Sequence, residues 1–134
     1  MNKKVLIMCT GNSCRSIIGE ALINKELEGI RAYSCGVNPS GKVNPYAKKV
    51  LLQNDAWHDR YYSKHLDDIL GIDFDLVVTV CDNAKETCPV FPKNTKTIHV
   101  GFDDPDGKTF DAFEECFELI KNNLLAKVKD QLSK

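Results

Sequence analysis

The chain has 134 residues and a mass of 15.0 kDa, which is the size of one ordinary domain with a single hydrophobic core. Its hydrophobic content of 43% and charged content of 28% are typical of a globular protein, and no apolar run approaches the roughly 20 residues of a membrane helix. The N-terminus lacks the features of a signal peptide, and a net charge of -1 gives no general attraction to nucleic acid or anionic lipid. We therefore expect a cytoplasmic protein in which residues 1–134 form a single domain, without a nucleic-acid or membrane partner.

Apolar runs typical of buried strands alternate with stretches of helical periodicity along the chain. The predicted strands are residues 5–8, 32–35, 76–80 and 97–100. A first helix is closed by Gly29, a second has Asn44 as N-cap with Pro45 in its first turn, and a third begins near Phe110. The apolar face of the third helix is expected to consist of Phe113, Cys116, Phe117, Ile120, Leu124 and Val128. This alternation predicts an α/β fold, a single-domain open parallel four-stranded sheet with helices on both faces.

Chemically capable side chains follow three of the predicted strands. Cys9 directly follows the first strand, Cys81 the third, and Asp104 comes shortly after the fourth. In an open parallel sheet, ligands bind beyond the carboxyl ends of the strands. We therefore expect these three side chains to converge on one edge of the sheet.

The six cysteines favour a set of working thiols over a disulfide framework, because the chain carries no secretory signal. Their spacing lacks a paired C-x₂-C pattern and the three histidines do not complete one, so no structural zinc site is expected. Cys14 and Cys116 occupy predicted core positions, and Cys35 is interpreted as a buried filler rather than an extra thiol.

Residues 9–16, with the sequence Cys-Thr-Gly-Asn-Ser-Cys-Arg-Ser, join the first strand to the first helix. A loop in this position can turn its backbone N–H groups around an oxyanion, supported by the positive end of the helix dipole. Gly11 and Asn12 are residue types that tolerate the unusual backbone angles of such a cradle. The predicted oxyanion-binding residues are Thr10, Gly11, Asn12, Ser13, Cys14, Arg15 and Ser16.

Three side chains of this loop predict nucleophilic chemistry. The field that binds an anion also stabilises a thiolate, so Cys9 is expected to ionise well below its ordinary pKa of about 8.5. Arg15 can fork onto two oxygens of a tetrahedral anion, and Ser16 can donate a hydrogen bond to the sulfur. The loop therefore predicts a cysteine nucleophile beside a binding site for a tetrahedral oxyanion.

The Cys-x₅-Arg-Ser pattern resembles the signature of the protein tyrosine phosphatase superfamily. Its form near the N-terminus is similar to the low-molecular-weight branch and its arsenate reductase relatives. Residues 103–107 alone indicate a turn, with Asp first, Pro next and Gly last. The resemblance implies that Asp104, in its Asp-Pro pair, is the general acid that protonates the leaving oxygen.

Cys81 and Cys88 distinguish a reductase from a hydrolase. Water completes hydrolysis, whereas a reductase must supply two electrons, which a thiol pair provides by forming a disulfide. Cys81 is placed to attack the sulfur of Cys9, and Cys88 can then resolve that disulfide. If residues 82–88 are helical, the two Cα atoms lie about 10.5 Å apart. A disulfide requires roughly 4.4–6.8 Å, so forming the Cys81–Cys88 bond would unwind the segment.

A resemblance to thioredoxin-coupled arsenate reductases covers nearly the whole chain. It rests on the loop of residues 9–16, on Val-Thr-Val-Cys before a Cys-x₆-Cys pair, and on Gly-Phe-Asp-Asp-Pro. It implies a Cys9–arsenate adduct, attack by Cys81 with release of arsenite, transfer of the disulfide to Cys88 and reduction by thioredoxin. The sequence does not distinguish thioredoxin from glutaredoxin as the reductant.

Some reductases of this family bind a potassium ion beside the nucleophile loop, and Asn12, Glu20 and Ser34 match that pattern. The region around residues 61–65 offers Lys64 and His65 where a further aspartate would be expected. This departure argues against a potassium site, and no other cofactor is expected.

Two other functions remain open. The first is a phosphatase that hydrolyses phosphomonoesters through a Cys9 phosphoenzyme, an activity also expected as a weak side reaction of a reductase. Against it, Ile17 stands where phosphatases of the branch usually carry proline. The second is an oxyanion or redox sensor that uses the same thiols. Residues 36–43 nearly match a Walker A loop but place Val43 where Ser or Thr is required, and are interpreted as a surface loop.

Overall fold

The computed structural model describes residues 3–69, 71–81 and 95–133. In chain order the elements are strand β1 (Lys3–Cys9), helix α1 (Arg15–Glu26), strand β2 (Ile30–Gly36), helix α2 (Pro45–Gln53), a 3₁₀-helix (Leu66–Ile69), strand β3 (Leu76–Thr79), strand β4 (Lys96–His99) and helix α3 (Phe110–Leu132). The four strands form one sheet in the order β2-β1-β3-β4, and every pair is parallel. Each predicted strand overlaps an observed one, and the predicted α/β fold with a parallel sheet is confirmed.

The central strand β1 is buried on both faces, which explains its continuous apolar run. Val5 and Ile7 pack into a core with side chains of α1, α2 and α3. Leu6 and Met8 alternate with them and pack on the opposite face against the 3₁₀-helix and Phe74. Within the described residues, the three α-helices therefore cover one face, and the 3₁₀-helix with the segment after it covers the other.

The helix boundaries follow the local signals in the sequence. Asn44 caps α2, since its side-chain oxygen accepts a hydrogen bond of 2.8 Å from the backbone N–H of Tyr46, and Pro45 lies in the first turn. Gly29 has a φ of 79° in the turn between α1 and β2. The buried face of α3 consists of Phe113, Cys116, Phe117, Ile120, Leu124 and Val128, as predicted. No helix in the described parts of the chain combines the length and hydropathy that crossing a membrane requires.

Candidate active site

The order of the strands brings the ends of β1 and β3 side by side. Met8 lies opposite Thr79 in the parallel register, so Cys9 and Cys81 emerge from neighbouring strands at the same edge. The hydroxyl of Thr10 lies 3.3 Å from the sulfur of Cys81. A cleft at this edge is lined by Arg15, Cys81, Gly101, Phe102, Asp103 and Asp104. The expected convergence of Cys9, Cys81 and Asp104 on this edge is therefore observed. Cys88 lies outside the described residues.

The sulfur of Cys9 is held by two groups of its own loop. The hydroxyl oxygen of Ser16 lies 2.9 Å from the sulfur, and the backbone N–H of Asn12 donates to it at 3.2 Å. Asn12 has a φ of 48°, the left-handed conformation that was expected of this position. Gly11, which was named as a residue type that tolerates such angles, does not have a positive φ, and a Cβ there would meet only the hydroxyl of Ser13 at 3.5 Å.

The side chain of Asn12 fixes the direction of these hydrogen bonds. Its amide nitrogen donates to the hydroxyl oxygens of Ser16 at 2.7 Å and Ser34 at 3.0 Å, and its amide oxygen accepts the backbone N–H of Lys64 at 2.8 Å. Because Ser16 accepts from Asn12, its own proton is available to Cys9. This polarity suits a negatively charged sulfur.

Burial is the largest influence on the ionisation of Cys9. It raises the pKa of the thiol, and Cys81 acts in the same direction, while the hydrogen bonds from Ser16 and Asn12 lower the pKa. The expectation that the loop alone holds this pKa well below its ordinary value was therefore wrong. Arg15 does not offset the burial, because its guanidinium donates to the carbonyl oxygen of Phe102 at 2.9 Å and lies 3.5 Å from the Asp104 carboxylate.

Residues 37–44 clamp the nucleophile loop from outside through the backbone. The donors and acceptors are Val37 N–H to Cys9 O, Asn38 N–H to Thr10 O, Ser40 N–H to Gly11 O and Asn44 N–H to Ser13 O, at 2.9–3.1 Å. These four carbonyls are engaged on the outer side of the loop, and the backbone N–H of Asn12 is directed to the inner side, where it contacts the sulfur.

This clamp was not predicted from the sequence, in which residues 36–43 were interpreted as a surface loop. One signal was present, namely Gly36 at the end of β2. A Cβ at this position would collide with the carbonyl oxygen of Thr10, so the close approach of the two backbones requires glycine.

Asp104 lies in a turn and also faces the nucleophile loop. The interpretation of residues 103–107 as a turn is therefore compatible with a general acid at Asp104. One carboxylate oxygen is 3.5 Å from the guanidinium of Arg15, and the other accepts the backbone N–H of Asp106 at 2.9 Å. Asp106 in turn accepts a hydrogen bond of 2.8 Å from the side-chain nitrogen of Asn44. The Asp104 side chain is 54% exposed, so solvent and ligands can reach its carboxylate.

The site combines a cysteine in an anion-binding loop with an arginine beside it and an aspartate on a facing turn. This combination is consistent with one sequence family. The profile of the low molecular weight phosphotyrosine protein phosphatase family matches residues 4–134. The chain belongs to this family.

Arsenate reductases are among the relatives of this phosphatase-family chain. It is 40% identical over 124 residues to an arsenate reductase of Staphylococcus aureus, covering 90% of this chain and 93% of the relative. A solved arsenate reductase from Archaeoglobus fulgidus is 26% identical with a TM-score of 0.77, covering 92% of this chain and 98% of the other. A further solved structure, described as an arsenate reductase in the phosphate binding state, is 28% identical with a TM-score of 0.73, covering 93% and 98%.

Three further thiols of this phosphatase-family chain are buried, namely Cys14, Cys35 and Cys116. Burial raises the pKa of Cys14 to about 12 and that of Cys116 to about 11. Cys14 and Cys116 are therefore protonated at neutral pH, which agrees with their interpretation as core residues.

The three residues that match a potassium pattern in this family lie together in a buried polar cluster behind the nucleophile loop. Ser34 donates to the carboxylate of Glu20 at 2.6 Å and accepts from Asn12. The ammonium of Lys64 donates to the backbone carbonyl of Ser34 at 3.0 Å. Burial raises the pKa of Glu20, while the charge of Lys64 and the hydrogen bond from Ser34 act in the opposite direction.

Proposed function

We propose that this chain is an arsenate reductase, with Cys9 as nucleophile and Cys81 and Cys88 as a disulfide relay that thioredoxin regenerates. The observation that carries the proposal is the second thiol beside the nucleophile loop, where Cys81 lies 3.3 Å from the hydroxyl of Thr10. Hydrolysis of a phosphate ester leaves such a thiol without a role. The relatives named arsenate reductase support the same assignment.

The first half of the reaction forms a covalent adduct on Cys9. The thiolate attacks the arsenic of arsenate, and Asp104 protonates the oxygen that departs as water. Arg15 must exchange its contacts with Phe102 and Asp104 for two oxygens of the bound anion, which places the guanidinium charge near the sulfur. The inner N–H groups of the loop bind the remaining negative charge.

The second half transfers two electrons to arsenic. The thiolate of Cys81 attacks the sulfur of Cys9, and the electron pair of the sulfur–arsenic bond remains on arsenic, so arsenic(V) leaves as arsenite. Cys88 then attacks the Cys81 sulfur, which releases Cys9 and leaves a Cys81–Cys88 disulfide. Thioredoxin supplies the two electrons and two protons that reopen it. The step at Cys88 rests on the sequence, since residues 82–94 lie outside the described residues.

Phosphomonoester hydrolysis through a Cys9 phosphoenzyme is the second candidate function. It is favoured by the same cradle and by Asp104, because a phosphatase of this family needs only a nucleophile, an anion site and a general acid. We expect this activity as a weak side reaction.

The test measures arsenate reduction under three conditions and the hydrolysis of one phosphate ester. Arsenite production is measured with a complete thioredoxin system, with thioredoxin omitted, and with glutathione and glutaredoxin in its place. Hydrolysis of p-nitrophenyl phosphate is measured in parallel. We expect multiple turnovers of arsenate only with thioredoxin, and slow ester hydrolysis. Rapid ester hydrolysis without arsenite production would replace the proposal by the phosphatase function, and turnover with glutaredoxin alone would replace thioredoxin as the partner.

A further inference from the structure

The buried cluster behind the nucleophile loop contains the amino group of Lys64. Burial lowers the pKa of this group, and the nearby charge of Glu20 raises it. Lys64 is 8% exposed, and its Nζ donates to the backbone carbonyls of Ser34 at 3.0 Å and Tyr62 at 2.9 Å. The same Nζ lies 4.5 Å from the centre of the Tyr62 ring, a cation–π contact. Carbonyl oxygens and an aromatic face are the surroundings that a desolvated cation requires.

A carboxylate that is also buried lies across the same serine. Glu20 is 6% exposed and accepts the hydroxyl hydrogen bond of Ser34 at 2.6 Å, while Lys64 binds the backbone carbonyl of that serine. An unpaired buried charge is costly, and an opposite charge nearby reduces this cost. Ser34 therefore joins the two charges through its side chain and its backbone.

From this charge pair a chain of directed hydrogen bonds leads to the reactive sulfur. Ser34 accepts from Asn12, Asn12 also donates to Ser16, and Ser16 lies 2.9 Å from the sulfur of Cys9. Lys64 enters this chain a second time, because its backbone N–H donates to the amide oxygen of Asn12. The position of Lys64 is thus linked to the orientation of the Asn12 amide and the direction of the Ser16 hydroxyl.

A potassium ion does not fit this cluster. The carbonyl oxygen of Ser34 is already bound by the ammonium, and a second cation beside it would be repelled by the lysine charge. Asn12, Glu20 and Ser34 match a potassium pattern, but in this chain they surround Lys64 and leave no place for the ion.

We infer that Lys64 is a positioning residue whose ammonium serves as a built-in cation, balances Glu20 and holds Asn12 and the nucleophile loop without a bound metal ion. The inference adds a component to the site of the proposed function. It concerns the loop around Cys9 and not the relay, so it can be tested without arsenate reduction.

The test uses alkylation of Cys9 by iodoacetamide at fixed pH and its protection by inorganic phosphate, both followed by mass spectrometry. The measurements are made at constant ionic strength in potassium, ammonium, lithium and tetramethylammonium chloride. The wild-type chain is expected to behave alike in all four salts. Lys64→Ala is expected to bind phosphate roughly 5- to 150-fold more weakly in lithium or tetramethylammonium, the usual range for coupling between sites. Potassium or ammonium ions can enter the vacated position and are expected to restore phosphate binding by Lys64→Ala. The control variant Lys121→Ala, on the exposed face of α3, should match the wild type.

A double variant keeps the inference testable if Lys64→Ala folds poorly. Lys64→Met combined with Glu20→Gln removes both charges and should bind phosphate better than Lys64→Met alone. Stimulation of the wild-type chain by potassium over lithium would overturn the inference, because the ion would then still have a site. Unchanged phosphate protection in Lys64→Ala would also overturn the inference. So would the combination of two results, namely phosphate binding by the double variant that is no tighter than that of Lys64→Met, and no rescue of Lys64→Ala by potassium or ammonium. Because alkylation requires no reduction of arsenic, a failure of the proposed reductase function leaves these results interpretable.

Discussion

The hydroxyl of Thr10 lies 3.3 Å from the sulfur of Cys81, so a second thiol stands directly beside the residue that follows the nucleophile. The contact is set by the pairing of β1 with β3. Met8 lies opposite Thr79, and the pairing of the two strands ends at these residues. The approach of this thiol to the nucleophile loop therefore depends on the pairing of two strands that are buried from Val5 to Cys9 and from Leu76 to Thr79.

Replacing the relay cysteines should separate reduction from anion chemistry. Cys81→Ser should abolish multiple turnovers of arsenate but retain weak hydrolysis of p-nitrophenyl phosphate, which requires only Cys9, Arg15 and Asp104. Cys88→Ser should release one equivalent of arsenite and stop as a Cys9–Cys81 disulfide, identified by peptide mass spectrometry. Cys116→Ala, on α3, serves as the matched control. Sustained arsenate turnover by Cys81→Ser would show that this thiol is not in the relay.

Removing the hydroxyl of Ser16 should make Cys9 harder to ionise. The hydrogen bond from Ser16 lowers the pKa of a thiol that burial raises, so Ser16→Ala should shift it further upward. Because the thiolate is the reactive form, the rate of alkylation at neutral pH should fall and the pH–rate profile should move to higher pH. Ser13→Ala is the control, since that hydroxyl contacts Cys14. An unchanged profile in Ser16→Ala would contradict the hydrogen-bond direction derived from Asn12.

Asp104→Asn should slow the first chemical step by roughly 10²–10⁴-fold, because the amide cannot deliver a proton to the leaving oxygen. Stability should change little, since the side chain is 54% exposed and its pairing with Arg15 is worth only about 0–1 kcal/mol. Single-turnover kinetics and urea unfolding measure the two effects. Asp103→Asn is the neighbouring control and should retain the wild-type rate. Equal losses in both variants would indicate a structural turn without a general acid.

The bond from Asn44 to Asp106 should help to position the Asp104 loop. Asn44→Asp preserves an oxygen that can cap α2 but replaces a hydrogen bond of 2.8 Å by repulsion between two carboxylates. A hydrogen bond contributes about 0.5–1.5 kcal/mol, so the rate should fall by about 2- to 10-fold while the helical circular dichroism is unchanged. Adding Asp106→Asn to this variant should restore the rate, because donor and acceptor are then exchanged. No recovery would mean that the contact has no influence on the acid.

The thiol of Cys116 should make stability depend on alkaline pH. Its pKa is raised from 9.0 to about 11 in the folded chain, so above pH 9 the unfolded chain loses this proton while the folded chain retains it. Stability from this group is therefore constant below pH 9 and decreases as the pH rises toward 11. At pH 10 the loss should be on the order of 1 kcal/mol relative to pH 8. Urea unfolding of wild-type chain and Cys116→Ala at both pH values isolates the effect, and identical pH dependence would refute it.

The parts of the fold that depend on residue type were predictable from the sequence. The apolar runs identified β1 and β3 as buried strands, and the Asn-Pro pair located the start of α2. Once the strands were known, the parallel sheet placed Cys9 and Cys81 at one edge. The cytoplasmic location, the role of Cys88 and the thioredoxin partner remain predictions.

Other features depend on packing that no local pattern records. The clamp on the nucleophile loop joins backbone to backbone, so side-chain identity carries almost no trace of it. The raised pKa of Cys9 follows from its burial and from the direction in which Arg15 points. Lys64 was noticed only as a departure from a pattern, because its contact with Ser34 joins positions 30 residues apart.

Because residues 37–40 hold the nucleophile loop through backbone nitrogens, the exposed side chains of that segment can vary without loosening the anion site. Proline is the exception, since it has no N–H to donate. Within this stretch the donors are Val37, Asn38 and Ser40, and the chain's own proline is at the one remaining position, Pro39. A library that randomises the exposed positions 38 and 40 should therefore yield active enzymes with almost every residue type except proline, whereas Val37 is kept because it packs against the core.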